Sequence, residues 1–210
     1  MFKIRLILLA SLLLGHTAGA GIYEDVLDAV KADDVRTLQT LIAKGVDIDT
    51  VDPSGNTLVT VAAENGKLTA AKFLATHGAN LNARNRYGET ALMLAASRGH
   101  IDIVKLLLAQ RAQVNQPGWT ALMFAAAAGQ LEIARLLIAA GANVNAVSDN
   151  GTSALMLAVR ESTEDMVRLL LQHRANPNIR NEAGATALGW AMDQGKRQIG
   201  ELLIKSGADI

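Results

Sequence analysis

GETALMLAASRGHIDIVKLLLAQRAQVN, Gly88 to Asn115, is written again as GWTALMFAAAAGQLEIARLLIAAGANVN from Gly118 to Asn145, and as GTSALMLAVRESTEDMVRLLLQHRANPN from Gly151 to Asn178. Fainter copies open at Gly55 and Gly184. The opening glycines, Gly55, Gly88, Gly118, Gly151 and Gly184, stand 33, 30, 33 and 33 residues apart. Thr57, Thr90, Thr120, Ser153 and Thr186 keep the same intervals two residues later. A third marker, Gly or Arg followed by Ala and then a polar residue, falls at Gly78, Arg111, Gly141, Arg174 and Gly207, with Gly45 one period before it. Three independent markers on one period make internal repetition the organising fact of the chain.

Each unit reads as helix, turn, helix, loop. Thr90 is placed to cap a short apolar helix over 91–97, since its side-chain oxygen can accept an orphan backbone N–H. Gly99 ends that helix, where a positive φ costs little. A second helix is expected over 102–110, burying Ile103, Leu106 and Leu107. The polar residues from Gln113 onward make the turn to the next unit. Ala91, Ala95 and Ala96, with Ala121, Ala125 and Ala126 one unit later, let inner helices sit close together. The aliphatic triplets at 106–108, 136–138, 169–171 and 202–204 are expected to fill the layer between inner and outer helices.

The composition agrees. Of 210 residues, 36 are Ala and 30 are Leu, while aromatic residues are only 3%; such a chain builds thin, closely packed helices rather than a bulky core. The absence of cysteine excludes a disulfide framework and a thiolate zinc site. An apolar content of 50% argues against disorder. Lys and Arg balance Asp and Glu at 20 each, so the basic surplus expected of a nucleic-acid binder is missing.

The pattern G-x-T-A-L-x-x-A-A, a glycine turn, I-V-x-L-L-L and G-A-x-V-N resembles the ankyrin repeat over Tyr23 to Ile210. The family's T-P-L-H stands here as Thr90-Ala91-Leu92-Met93, Thr120-Ala121-Leu122-Met123 and Ser153-Ala154-Leu155-Met156. The resemblance implies an all-α solenoid of helix-turn-helix units with short β-hairpin-like loops. Six units are expected, at 22–51, 52–84, 85–115, 116–147, 148–180 and 181–210, forming one domain over 21–210. The first lacks the opening motif and carries Glu24, Asp25, Asp28, Asp33 and Asp34. The last has Arg197 where Ile101 and Leu131 stand, and Gly200 where Val104 stands. Both ends therefore read as solvated caps. Trp190 falls at a buried helix position and reads as core.

The first twenty residues read differently. Lys3 and Arg5 precede an apolar run from Leu6 to Leu14, followed by small residues that end Ala18-Gly19-Ala20. This is the form of a secretory signal peptide cleaved after Ala20. A membrane span needs roughly 20 apolar residues, about twice this run, so no stable membrane insertion is expected after cleavage. Loss of Lys3 and Arg5 leaves a net charge of −2. A periplasmic or secreted location follows as an expectation.

No constellation for chemistry emerges. His77, His100 and His173 are scattered, and a metal site needs convergent ligands. Neither a G-x-S-x-G elbow nor a phosphate-binding loop occurs. Asp33–Asp34 and Glu164–Asp165 are sequence neighbours at helix starts, where they suit the helix dipole. The expectation is a non-enzymatic protein with no cofactor, no metal and no small-molecule or nucleic-acid ligand.

What remains is a binding surface. In ankyrin-like stacks, partners dock on loop tips and on the edge of the inner helices. Mapped onto this chain, the resemblance implies a partner-binding surface of Arg84, Arg86, Tyr87, Glu89, Arg98, Trp119, Asp149, Asn150, Arg160 and Arg180, with Arg84, Arg86, Tyr87 and Trp119 as neighbours. Arg, Tyr and Trp dominate interface energetics. Trp119 also reads as a plug for a loop shortened by three residues. Residues 22–52 carry a charge of −5 and 53–210 one of +3, a field able to steer an acidic partner. The layout is similar to that of bacterial signal-bearing ankyrin proteins. It implies a scaffold that supports an envelope or oxidative-stress enzyme; the alternatives are an inhibitor or immunity protein and an unrecognised enzyme.

Overall fold

The computed structural model describes residues 17–161 and 163–209, with side chains from residue 21. Of the signal-peptide reading, residues 1–16 lie outside the described residues, and the backbone of 17–20 forms the first turn of a helix. The chain divides into two compact units, the first ending at Ala91 and the second beginning at Leu92.

The first unit holds α1 (Thr17–Lys31), α2 (Val35–Ala43), α3 (Leu58–Glu64) and α4 (Leu68–Thr76). Successive helices pair as hairpins, α1 with α2 and α3 with α4; α1 stacks on α3 and α2 on α4, giving two layers. Asp34 caps α2, its carboxylate accepting from the backbone N–H groups of Arg36 and Thr37 at 3.1 Å each. Asp33 has φ of 57°, where later units carry Gly66, Gly99, Gly129 and Gly195. Its carboxylate accepts from Ala70 N at 2.6 Å, capping α4 of the following repeat. Lys67, the N-cap residue of α4, supplies no side-chain cap of its own.

The second unit contains most of α5 (Ala91–Arg98), then α6 (Ile101–Ala109), α7 (Ala121–Ala127), α8 (Leu131–Ala139), α9 (Ala154–Arg160), α10 (Glu164–Gln172), α11 (Ala187–Asp193) and α12 (Arg197–Lys205). One layer runs α7, α9, α11, and the other α6, α8, α10, α12. The small residues of the inner layer, Ala95, Ala96, Ala125, Ala126 and Ala158, are fully buried. Within each aliphatic triplet the middle residue, Leu107, Leu137, Leu170 or Leu203, is fully buried, and its flanks are covered less completely. Among the described residues there are no strands; two isolated antiparallel bridges, Val51–Thr57 and Val147–Ser153, close loop hairpins.

Thr57, Thr120, Ser153 and Thr186 cap α3, α7, α9 and α11, each accepting the N–H three residues on at 3.1–3.4 Å. Such a cap contributes about 1 kcal/mol. Asparagines then tie repeat to repeat. Asn115 Oδ1 accepts from Asn143 N at 2.7 Å, Asn145 Oδ1 from Asn176 N at 2.7 Å, and Asn178 Oδ1 from Asp209 N at 2.9 Å. The same side chains donate through Nδ2 to the carbonyls of Gly141, Arg174 and Gly207. In the first unit Asp49 Oδ1 plays this part for Asn80 N at 2.8 Å.

In the last repeat Arg197 is exposed, and apolar side chains are exposed with it. Met192 is 68% exposed and Ile204 45% exposed. In earlier repeats the place of Met192 is taken by Ala96, Ala126 and Val159, all fully buried. Gly200 is buried rather than solvated. Trp190 is only half-buried; its indole is larger than Leu157 one repeat earlier, and the adjacent Gly189 offers no side chain to cover it.

Candidate partner-binding surface

The loop tips are organised by an Asx-type turn. In the first unit, Asp52 Oδ1 accepts from the backbone N–H of Ser54 and of Asn56 at 2.8 Å each. One repeat later Asn85, itself buried, accepts from Tyr87 N and Glu89 N at 2.9 Å each. Asn85 Nδ2 donates to Asn56 Oδ1 and to Glu89 Oε2, both at 2.8 Å. Arg86 N donates to Ser54 O at 3.0 Å, joining this tip to the previous one. That approach needs glycine at position 55: φ is 82°, and a Cβ there would stand 3.2 Å from Arg86 N. The result is a rigid tip on which Arg84, Arg86 and Tyr87 are exposed, Tyr87 by 77%. Glu89, also expected on this surface, is oriented differently. It is half-buried and its carboxylate is turned inward to Asn85, so it serves the turn.

In the second unit the same device recurs at Ser148, whose hydroxyl accepts from Thr152 N at 3.1 Å and donates to Asn150 Oδ1 at 2.7 Å. Glu182 N donates to Asn150 O at 3.0 Å, and a Cβ on Gly151 would stand 2.9 Å from Asn181 Cα. Asn150 is exposed, yet its side-chain oxygen faces its own turn. Asp149 is exposed, and its carboxylate lies against Gly118, beside Trp119.

In the shortened loop before Gly118 the Asx position is held by Asn115, whose side chain ties to Asn143 and Gly141. There Trp119 packs against Phe124, ring centroids 5.5 Å apart in an edge arrangement. Trp119 also stays 37% exposed, so the ring both fills the short loop and faces outward. Arg98 is exposed at the end of α5. Arg160 is exposed and ion-paired with Glu161 at 2.8 Å. Arg180 donates to Gly184 O at 3.2 Å across its own loop. Arg84, Arg86 and Tyr87 thus share one loop of the first unit, while Trp119 stands in the second.

Sequence reasoning missed Asn85, Ser148 and Lys196. The first two were legible as Asp, Asn or Ser at 52, 85, 148 and 181, four residues before the residue that follows the loop glycine. Lys196 Nζ donates to the carbonyls of Val159 and Arg160 at 2.6 Å each, a cation on the C-terminal end of α9. The histidines occupy helix ends: His77 and His173 are the C-cap residues of α4 and α10, and His100 is the N-cap residue of α6. Nδ1 of His77 lies 2.7 Å from Phe73 O, its ring 4.1 Å from that of Phe73. No group of three or more metal-ligating residues occurs among the described residues. No described helix is long and apolar enough to cross a membrane.

A crystal structure of an ankyrin repeat domain from Acinetobacter baumannii is similar, with a TM-score of 0.77 and 33% identity over 88% of this chain and 98% of that one. A chain from the structure of a predatory endopeptidase of Bdellovibrio bacteriovorus in complex with an immunity protein aligns with a TM-score of 0.75. It shares 27% identity over 87% of this chain and 97% of its own. Human Rabankyrin-5 is 38% identical over 96 residues, 44% of this chain and 8% of that protein. The chain spans less than two thirds of the length of the first curated relatives it matches. Ankyrin repeats mediate protein–protein binding, and proteins built of them are typically binding scaffolds or regulators. The family model for ankyrin repeats matches residues 26–118, 84–148 and 122–210, and the chain belongs to that family.

Proposed function

We propose that this protein is exported and acts without catalysis, docking a partner protein on its loop tips and on the exposed edge of its inner helices. One observation carries the reading. The tip at 84–89 is fixed by a buried asparagine, yet it holds a tyrosine 77% exposed. A large amphipathic ring held rigidly in solvent loses little entropy when a partner covers it. The basic start, apolar run and Ala18-Gly19-Ala20 ending support export to the periplasm. The test is affinity purification from the envelope fraction with wild type and with Tyr87→Ala, Arg86→Ala and Trp119→Ala. Loss of a partner at unchanged thermal stability supports the surface, and an unchanged partner list contradicts it. Mass spectrometry of the exported chain tests processing, because an intact Met1 end contradicts cleavage after Ala20.

A second reading has one observation in its favour, the similarity to a chain of the endopeptidase–immunity complex. In that reading the partner is a hydrolytic enzyme held inactive. Adding the purified protein to its isolated partner separates the two: a fall in the partner's activity favours the inhibitor, and retained activity favours the scaffold.

A further inference from the structure

The tip of the first unit offers positive charge with its own acid turned away. Arg84 and Arg86 are exposed on either side of buried Asn85, and Tyr87 follows. The Arg86 guanidinium and the Tyr87 phenol have no hydrogen-bond or ion-pair partner among the described residues. Glu89, the acid of this loop, is held by Asn85 Nδ2 at 2.8 Å. The backbone beneath is fixed by Asn85 N to Glu89 O, Gly88 N to Asn85 O and Arg86 N to Ser54 O, each at 3.0 Å. The Arg86 stem lies along Gly55, its Cγ 3.3 Å from where a Cβ would stand. A ligand therefore meets donors already in place.

The first repeat is acidic, with Glu24, Asp25 and Asp28 exposed on α1. Of its carboxylates, Asp33, Asp34, Asp47, Asp49 and Asp52 each accept backbone N–H groups within helix caps and turns. Those oxygens are in use by the fold. At this tip the Arg86 guanidinium is open to a ligand.

We infer that this tip binds an acidic segment of the partner protein, with an Asp or Glu carboxylate taking the Arg86 guanidinium and its neighbouring atoms packing on the Tyr87 ring. The inference rests on the docking function proposed above and names the chemistry of the docked surface. Arginine suits the role because its planar fork matches a carboxylate with two parallel hydrogen bonds.

The experiment uses the full chain and a fluorescein-labelled oligo-glutamate peptide, with oligo-lysine and Gly-Ser peptides as controls, followed by anisotropy at low and high salt. Binding of oligo-glutamate alone is expected. It weakens with salt, falls about tenfold for Arg86→Glu and about threefold for Tyr87→Ala, and stays unchanged for Arg135→Glu on α8 of the second unit. Thermal midpoints of the variants are matched to wild type first. Absent or non-selective peptide binding, or an Arg86→Glu variant that binds oligo-glutamate as well as wild type, overturns the inference. The affinity-purified partner separates this failure from failure of the docking reading. If Tyr87→Ala weakens the complex but Arg86→Glu does not, docking stands and the acidic ligand falls. If neither variant weakens it, the docking surface itself falls.

Discussion

The carboxylate of Glu89 accepts a hydrogen bond from the side-chain amide of Asn85 at 2.8 Å, which turns the loop's acid inward while Arg84 and Arg86 face solvent. One buried residue thus sets both the shape and the charge of the tip. Replacing Asn85 with Ala leaves the N–H groups of Tyr87 and Glu89 without their acceptor and frees the Glu89 carboxylate. The expected cost is about 2 kcal/mol for the first unit, since partly buried polar groups lose partners. Amide exchange at Tyr87 and Glu89 accelerates in this variant, and exchange in α7 to α12 does not.

The turn at Asp33 makes a second prediction. Asp33 sits at φ 57° and caps the helix of the next repeat. Asp33→Ala loses the cap and keeps the strained backbone, so it destabilises by about 2 kcal/mol; Asp33→Gly loses only the cap and costs about half as much. Urea unfolding should rank wild type above Gly above Ala.

Asp34 gives the pH dependence. The Thr37 hydroxyl, then the Thr37 and Arg36 backbone N–H groups, hold its carboxyl below the ordinary carboxylate range. A lowered carboxylate stabilises the fold above its unfolded value, and that stabilisation is lost as pH falls through the lowered folded value. Fraying of α2 below the ordinary carboxylate range is expected, with Asp34→Ala removing that portion of the pH slope. A carbon-detected titration of Asp34 checks this, with protonation expected only below the ordinary carboxylate range.

Arg174 tests the economy of the repeat. It adopts φ of 63° after α10, where Gly141 and Gly207 stand in neighbouring units at 88° and 90°. Its side chain is exposed, so Arg174→Gly relieves a left-handed backbone at little loss of contact. A gain of about 1 kcal/mol is expected. Asn145→Ala works in the opposite direction. It removes the acceptor for Asn176 N and the donor to Arg174 O, at a cost of about 1–2 kcal/mol. Thermal unfolding of the two variants should move to opposite sides of wild type.

The fold was legible because its signal is periodic. Gly99, Thr120 and the alanines of α7 recur in register, and each does locally what its chemistry suggests: left-handed turn, cap, close packing. Exposure in the last repeat was less legible, because burial depends on what packs over a position and register does not display that. Met192 looks like core by register and is exposed. The site was legible as a set of exposed residue types but not as a hydrogen-bond pattern. Glu89 and Arg86 look alike as charged loop residues; only the bond from Asn85 distinguishes the one that serves the fold from the one that faces outward.

The proposed function requires that the loop tip at 84–89 dock another protein. Isothermal titration of the purified partner into wild type, Tyr87→Ala and Arg86→Glu, at matched thermal midpoints, tests it most directly. Each variant is expected to weaken binding about tenfold or more, the behaviour of residues at the centre of an interface. Wild-type affinity in both variants would contradict it.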